Sequence, residues 1–109
     1  MRHAELIRRL REAALTGPGA TDAQLREAVE ARAASLGGRA APETAVPDPL
    51  TRFVDQVALH AYRVTEQDIE ALRRAGYSED AIFEIAATAA LGAGLGRLER
   101  GLAALKGDL

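Results

Sequence analysis

Apolar residues recur at helical spacing through the first third of the chain and predict two amphipathic helices. The first helix ends before the Gly-Pro-Gly sequence at 17–19, because these residues interrupt a helix. The second begins at Thr21, whose hydroxyl caps the first turn while Gln24 completes a capping box. The apolar positions of the two stripes are Leu6, Ile7, Leu10, Ala14 and Leu15, followed by Leu25, Val29, Ala33 and Leu36.

The stretch 37–48 has no hydrophobic period and contains two adjacent glycines and two prolines. Since glycine and proline interrupt regular structure, this stretch is predicted to be an ordered loop or a flexible tether. It divides the chain into an N-terminal helical hairpin at 1–36, the loop, and a core helical region at 49–109. A chain of this length builds one hydrophobic core, so these parts are expected to form a single domain.

Two further helices are predicted after the loop. The third helix of the chain starts at Asp48, a capping carboxylate that stands directly before a proline at the first helical position. The fourth is short, opened by a cap of Thr65 with Asp68 and ended at Gly76. The third helix has the clearest period in the chain, with apolar residues at Leu50, Phe53, Val54, Val57, Ala58 and Ala61.

The fifth and last helix is predicted to begin at the Ser78 cap and to run to about Leu105. Leucines at spacings of four and three form a stripe typical of a helix that packs nearly parallel to a partner: Leu91, Leu95, Leu98, Leu102 and Leu105. A second row has small residues at spacing four, Thr88, Gly92 and Gly96, which indicates either close packing, expected here between subunits, or a break in the helix. The expected interface between subunits comprises Leu91, Gly92, Leu95, Gly96, Leu98 and Leu102.

Composition narrows the possible partners. Hydrophobic residues make up 48% of the chain but aromatic residues only 4%, so the core is built from small side chains and self-association is favoured. The net charge is −2, so we do not expect a positively charged surface that would attract the phosphates of a nucleic acid. The uninterrupted weakly polar run 86–96 is shorter than a membrane span, and the N-terminus has no apolar signal core. We therefore expect a cytoplasmic protein, and the arginine and alanine bias suggests a bacterial source.

Candidate chemistry is sparse, because the chain contains no cysteine and only two histidines, His3 and His60. This excludes disulfides and thiolate metal sites, and no metal or cofactor is expected. His60 is the candidate general base, since imidazole titrates near neutrality, with Asp55 five residues before it. The alternative is a surface histidine. The acidic and apolar sequence after Ser78 argues against a DNA-binding helix-turn-helix.

The stretch from Val64 to Leu105, VTEQDIEALRRAGYSEDAIFEIAATAALGAGLGRLERGLAAL, resembles the carboxymuconolactone decarboxylase and alkyl hydroperoxidase D-like superfamily. The resemblance lies in a helix, a turn with the sequence AGYSED, and a long alanine-rich helix that ends in leucines and arginines. It implies an all-α, single-domain bundle of about five helices that assembles into trimers or hexamers.

The redox members of that superfamily carry a glutamate, two cysteines separated by two residues, and a histidine. The resemblance places these positions near Pro49 and at Ala61, Val64 and Asp68, and none of the residues matches. It therefore implies a non-redox homo-oligomer that acts as a binder or as a structural protein. One alternative is a cofactor-free decarboxylase or isomerase that uses His60 as base on a small anionic lactone. A second alternative is an adaptor that binds another protein's helix.

Overall fold

Helices account for all the regular structure in the described residues, 2–41 and 44–107, of the computed structural model. No strand occurs in this part of the chain, so the prediction of an all-α fold is confirmed. A short 3-10 turn, Ala61–Arg63, follows the third helix. The five α-helices are α1 (Arg2–Leu15), α2 (Ala23–Gly37), α3 (Asp48–His60), α4 (Glu66–Arg74) and α5 (Glu79–Leu105).

Two of the predicted helix starts are confirmed in atomic detail. The Thr65 hydroxyl accepts a hydrogen bond from the main-chain N–H of Asp68, and the Asp68 carboxylate accepts one from Thr65. This is a complete capping box at the start of α4. Ser78 caps α5 by accepting a hydrogen bond from the main-chain N–H of Ala81, and the carboxylate of Glu79 lies in the first turn, near the positive end of the helix dipole.

The other two predicted starts were each displaced by one residue. Asp22, and not Thr21, caps α2, since its carboxylate accepts a hydrogen bond from the N–H of Leu25. Asp48 is the first residue of α3 and not its cap, and the preceding residue is Pro47, which has no side chain able to cap. Thr21 is instead engaged by a distant carboxylate, a tertiary contact that local sequence does not reveal.

The core forms where α2 and α5 lie side by side in the same direction and α3 packs against both. Residues of α4 close it from one end. The stretch 37–48, predicted as the internal boundary, joins α2 to α3, and both helices contribute to this core. The buried cluster consists of Val29, Ala33, Val46, Leu50, Phe53, Val54, Ala58, Leu72, Ile82, Ile85, Ala89 and Ala93.

The close approach of α2 and α5 depends on two glycines. A Cβ placed on Gly92 would lie 2.5 Å from the carbonyl oxygen of Glu30, and one on Gly96 would overlap the carbonyl of Ala34. Close packing of the small-residue row is therefore confirmed, and α5 continues through it without the predicted alternative of a break. The partner differs from the expectation, because Gly92 and Gly96 contact α2 of the same chain and not a second subunit.

By length and composition, α5 is the one helix of the described residues that is able to cross a membrane. Half of its apolar stretch is buried against the other helices. The sequence estimate considered only the uninterrupted run 86–96 and so understated the apolar length of this helix. Burial against α2 and α3 explains the apolar composition of one face of α5 but not of the opposite face.

Candidate functional site

His60 lies at the C-terminal end of α3, where its side chain is exposed. Its ring meets the exposed ring of Tyr62 edge to face, with centroids 6.0 Å apart and an interplanar angle of 81°. The guanidinium of Arg63 lies 5.6 Å from the centre of the same tyrosine ring. These three side chains form a surface cluster in which the aromatic ring of Tyr62 is the shared element.

An open concavity of about 480 Å³ runs along α3 beside His60. The carboxylate nearest to His60 in sequence, Asp55, is held by Arg32 of α2 through hydrogen bonds of 2.6 and 2.9 Å. That carboxylate is therefore committed to joining α2 and α3. The walls of the concavity are formed by Asp48, Thr51, Arg52, Asp55, Gln56, Leu59 and His60.

The predicted leucine stripe of α5 passes from the core to the surface. Leu95 is buried, Leu91 and Leu102 are half-buried, and Leu98 is 48% exposed. Leu105 at the end of the helix is 84% exposed. The stripe therefore lies along the edge of the packed face, and its place in an interface between subunits stays a prediction for the outer leucines.

A second apolar row lies entirely on the solvent side of α5. Its members follow spacings of four and three along the whole helix, include no polar or charged side chain, and are all exposed. Phe83 is 75% exposed at one end and Leu105 stands at the other. We call this row the outer strip; it comprises Phe83, Ala87, Ala90, Gly94, Leu98, Gly101 and Leu105.

Two charged residues beside the outer strip, Glu84 and Arg97, bind to other parts of the same chain. Glu84 accepts hydrogen bonds from the N–H groups of Ala20 and Thr21, at 2.8 and 3.0 Å, and from the Thr21 hydroxyl. Arg97 donates a 2.5 Å hydrogen bond to the carbonyl of Ala58, near the end of α3. Both side chains therefore have partners within the chain, and the outer strip between them stays uncharged.

Arg26, which is buried, organises the turn between α1 and α2. It donates hydrogen bonds to the carbonyl oxygens of Ala14, Gly17 and Thr21, and its Nε lies 3.4 Å from the Glu84 carboxylate. Hydrogen bonding by Thr21, the main-chain donors and the charge of Arg26 hold the pKa of Glu84 below its usual value. Glu84 is therefore a tertiary contact between the start of α5 and the turn before α2.

The carboxylate of Glu30, a residue of α2, is fully buried and connects this helix with α1 and, through Arg39, with α5. It accepts hydrogen bonds from Arg11 of α1 and from Arg39, and Arg39 also binds Glu99 of α5 at 2.7 Å. Burial by itself raises the pKa of Glu30, but hydrogen bonds and charge from Arg39 and Arg11 outweigh it and lower that pKa. Sequence reasoning missed this network, because only the burial of Glu30 distinguishes it from a surface carboxylate.

The described residues contain no group of three or more histidine, cysteine, aspartate or glutamate side chains able to hold a metal ion. Ion pairs of Arg11, Arg39 and Arg32 join different parts of the chain, whereas those of Arg8 with Glu5 and of Arg73 with Glu70 lie within single helices. The two surface features that bear on the predicted sites are the His60 concavity and the outer strip of α5. Comparison of the chain with protein-family models, with curated proteins and with solved structures gave no match.

Proposed function

We propose that this chain is a non-redox, non-catalytic homo-oligomer of the carboxymuconolactone decarboxylase and alkyl hydroperoxidase D-like superfamily, and that it acts in the bacterial cytoplasm. The observation that carries the proposal is the exposed apolar face of α5. Contiguous exposed apolar surface typically marks a site of interaction. A core poor in aromatic residues adds to the argument, because association buries apolar area that the monomer leaves in water.

The absence of cysteine supports the non-redox part of the proposal. Ala61 and Val64, which the resemblance places at the reactive cysteine pair, lie within and just after the 3-10 turn that follows α3. Neither side chain can form a thiolate, a disulfide or a peroxide adduct. This chain therefore cannot reduce a peroxide through its own thiols.

Light scattering coupled to gel filtration tests the oligomer. The expected result is a particle of two or more chains at micromolar concentration, because burying the exposed side chains of Phe83 and Leu105 in an interface lowers the free energy. A particle with the mass of one 11.5 kDa chain across the micromolar range would overturn the proposal. Circular dichroism of the same sample verifies that the helices are folded.

The second candidate function is a cofactor-free decarboxylase or isomerase at the His60 concavity. The observation in its favour is that Arg52, which suits an anionic substrate, lines the same concavity as His60. The concavity is open, however, and an open site leaves the reacting groups in water, where electrostatic stabilisation is weak. Turnover of a small lactone acid that is lost in His60→Ala and kept in His3→Ala would favour this candidate over the first.

A further inference from the structure

The outer strip contains two glycines that the fold of the single chain does not require. A Cβ built on Gly94 or on Gly101 would have no described atom within 4 Å beyond its own helical turn. Gly92 and Gly96, by contrast, are required by their contacts with α2. A glycine in a helix interior costs about 1 kcal/mol relative to alanine, so Gly94 and Gly101 lower stability without relieving a contact within the monomer.

The strip is complementary to itself when a second copy runs in the opposite direction. With a twofold axis at Gly94, positions whose numbers add to 188 face each other in such a pair. Leu98 then faces Ala90 of the second copy, so the one large side chain near the centre meets a small one. Ala87 faces Gly101, and this small pair leaves the backbones free to approach. Phe83 and Leu105 meet only at the two ends, where they close the contact.

We propose that α5 pairs with α5 of a second copy, antiparallel, along the outer strip and about a twofold axis at Gly94. A twofold contact presents the same patch on both subunits, so residues facing each other must be complementary in both directions, as they are here. Gly94 allows the helix backbones to approach closely at the axis, and Gly101 does so where it faces Ala87. Because the outer strip has no charged side chain, pairing does not remove a charged group from water and leave it without a partner.

Self-pairing accounts for features of the strip that a foreign partner does not. Contact with a foreign helix needs only a face that is complementary to that helix. It does not need Leu98 to lie opposite Ala90, or Phe83 opposite Leu105, when the strip is turned about Gly94. Two of the flanking charged residues, Glu84 and Arg97, are bound to their own chain, which favours a partner that presents the same uncharged face. This inference rests on the proposed homo-oligomer and specifies one of its interfaces.

The cysteine-free chain provides a direct test of the pairing. A single cysteine introduced by Gly94→Cys is the only thiol, and at the twofold axis it faces its own copy. We expect this variant to form an intermolecular disulfide under mild oxidation, because disulfides need Cα atoms within about 4.4–6.8 Å. Ala90→Cys and Leu98→Cys each lie about 12 Å along the helix from their own copy, at ~1.5 Å per residue, and should not cross-link alone.

Mixing those two chains gives the decisive comparison. Ala90→Cys mixed with Leu98→Cys should form a disulfide between unlike chains. If instead both variants cross-link with themselves, the helices are parallel and the proposal is wrong. If Gly94→Cys stays uncrosslinked while the unmodified chain is oligomeric by light scattering, this interface is wrong but the homo-oligomer stands. If the unmodified chain is monomeric, both fail.

A charge substitution provides an independent measurement. Leu98→Asp should raise the dissociation constant of the pair by about tenfold or more, because it places an unpaired carboxylate in an apolar contact. Leu10→Asp is the matched control, since Leu10 is 52% exposed and lies on α1, outside the strip. Equal effects of the two variants, or an assembly that contains only odd numbers of chains, would overturn the proposal. Co-purification of a stoichiometric foreign protein in place of the second copy would also overturn it.

Discussion

The carboxylate of Glu84 accepts hydrogen bonds from the main-chain N–H and the hydroxyl of Thr21, which lies 63 positions earlier in the chain. The contact joins the first turns of α5 to the turn between α1 and α2. A Cβ on Gly19 would lie 2.6 Å from the same carboxylate, so the turn passes close to it. This side chain thus ties the turn between α1 and α2 to the start of α5, in addition to the direct packing of α2 on α5.

Replacing Glu84 should loosen that attachment. Glu84→Ala leaves the N–H groups of Ala20 and Thr21 without their acceptor, and it removes the charge beside buried Arg26. We expect the free energy of unfolding to fall by about 1–3 kcal/mol, measured by urea denaturation. The control is Glu79→Ala, whose carboxylate binds only exposed Arg73. A loss for Glu84→Ala no larger than that of the control would contradict the assigned role.

Acid should destabilise the protein through the same carboxylate. The pKa of Glu84 in the folded chain lies below its ordinary value of 4.5. Its contribution to stability is therefore complete above about pH 4.5 and is lost as pH falls through the lower folded pKa. Thermal melts from pH 6 to pH 3 should show a falling midpoint, with a shallower fall in Glu84→Gln. Parallel curves for the two proteins would show that Glu84 does not contribute.

The buried carboxylate Glu30 should be the most sensitive charged position in the chain. Glu30→Ala leaves Arg39 and Arg11 without their shared partner, and breaking a buried ion pair by removing one member costs about 3–5 kcal/mol. Denaturant unfolding measures this loss. Glu12→Ala, which removes an exposed carboxylate paired with Arg8, should change stability by less than about 1 kcal/mol. Comparable losses at the two positions would show that burial of Glu30 is unimportant.

Two glycines only two residues apart in α5 should respond in opposite directions to the same substitution. Gly96→Ala forces a methyl group into the carbonyl of Ala34 and should destabilise the chain, by about 1–3 kcal/mol. Gly94→Ala meets open space and should stabilise the helix by up to about 1 kcal/mol. Unfolding is best compared in the Leu98→Asp background, so that self-association does not contribute. The same sign for both variants would contradict the α2–α5 contact.

Local interactions explain why much of the fold could be predicted from the sequence. The capping box of Thr65 with Asp68 and the Ser78 cap involve residues three positions apart, so the pattern itself carries the information. The extent of α5 to Leu105 also follows from periodicity alone. The start of α2 was displaced by one residue because Thr21 and Asp22 offer nearly equivalent capping groups, whereas α3 begins at Asp48 itself, after Pro47, without a side-chain cap.

The all-helical fold, most of the helix boundaries and the absence of thiol chemistry can be predicted from the sequence, because each depends on residue type or on neighbours within one or two turns. The contacts of Gly92 and Gly96 with α2, the binding of Thr21 by Glu84 and the burial of Glu30 become visible only in the folded chain. These contacts join residues far apart in sequence, and their partners depend on how the helices pack. The same packing leaves Gly94 and Gly101 in open space on the outer strip.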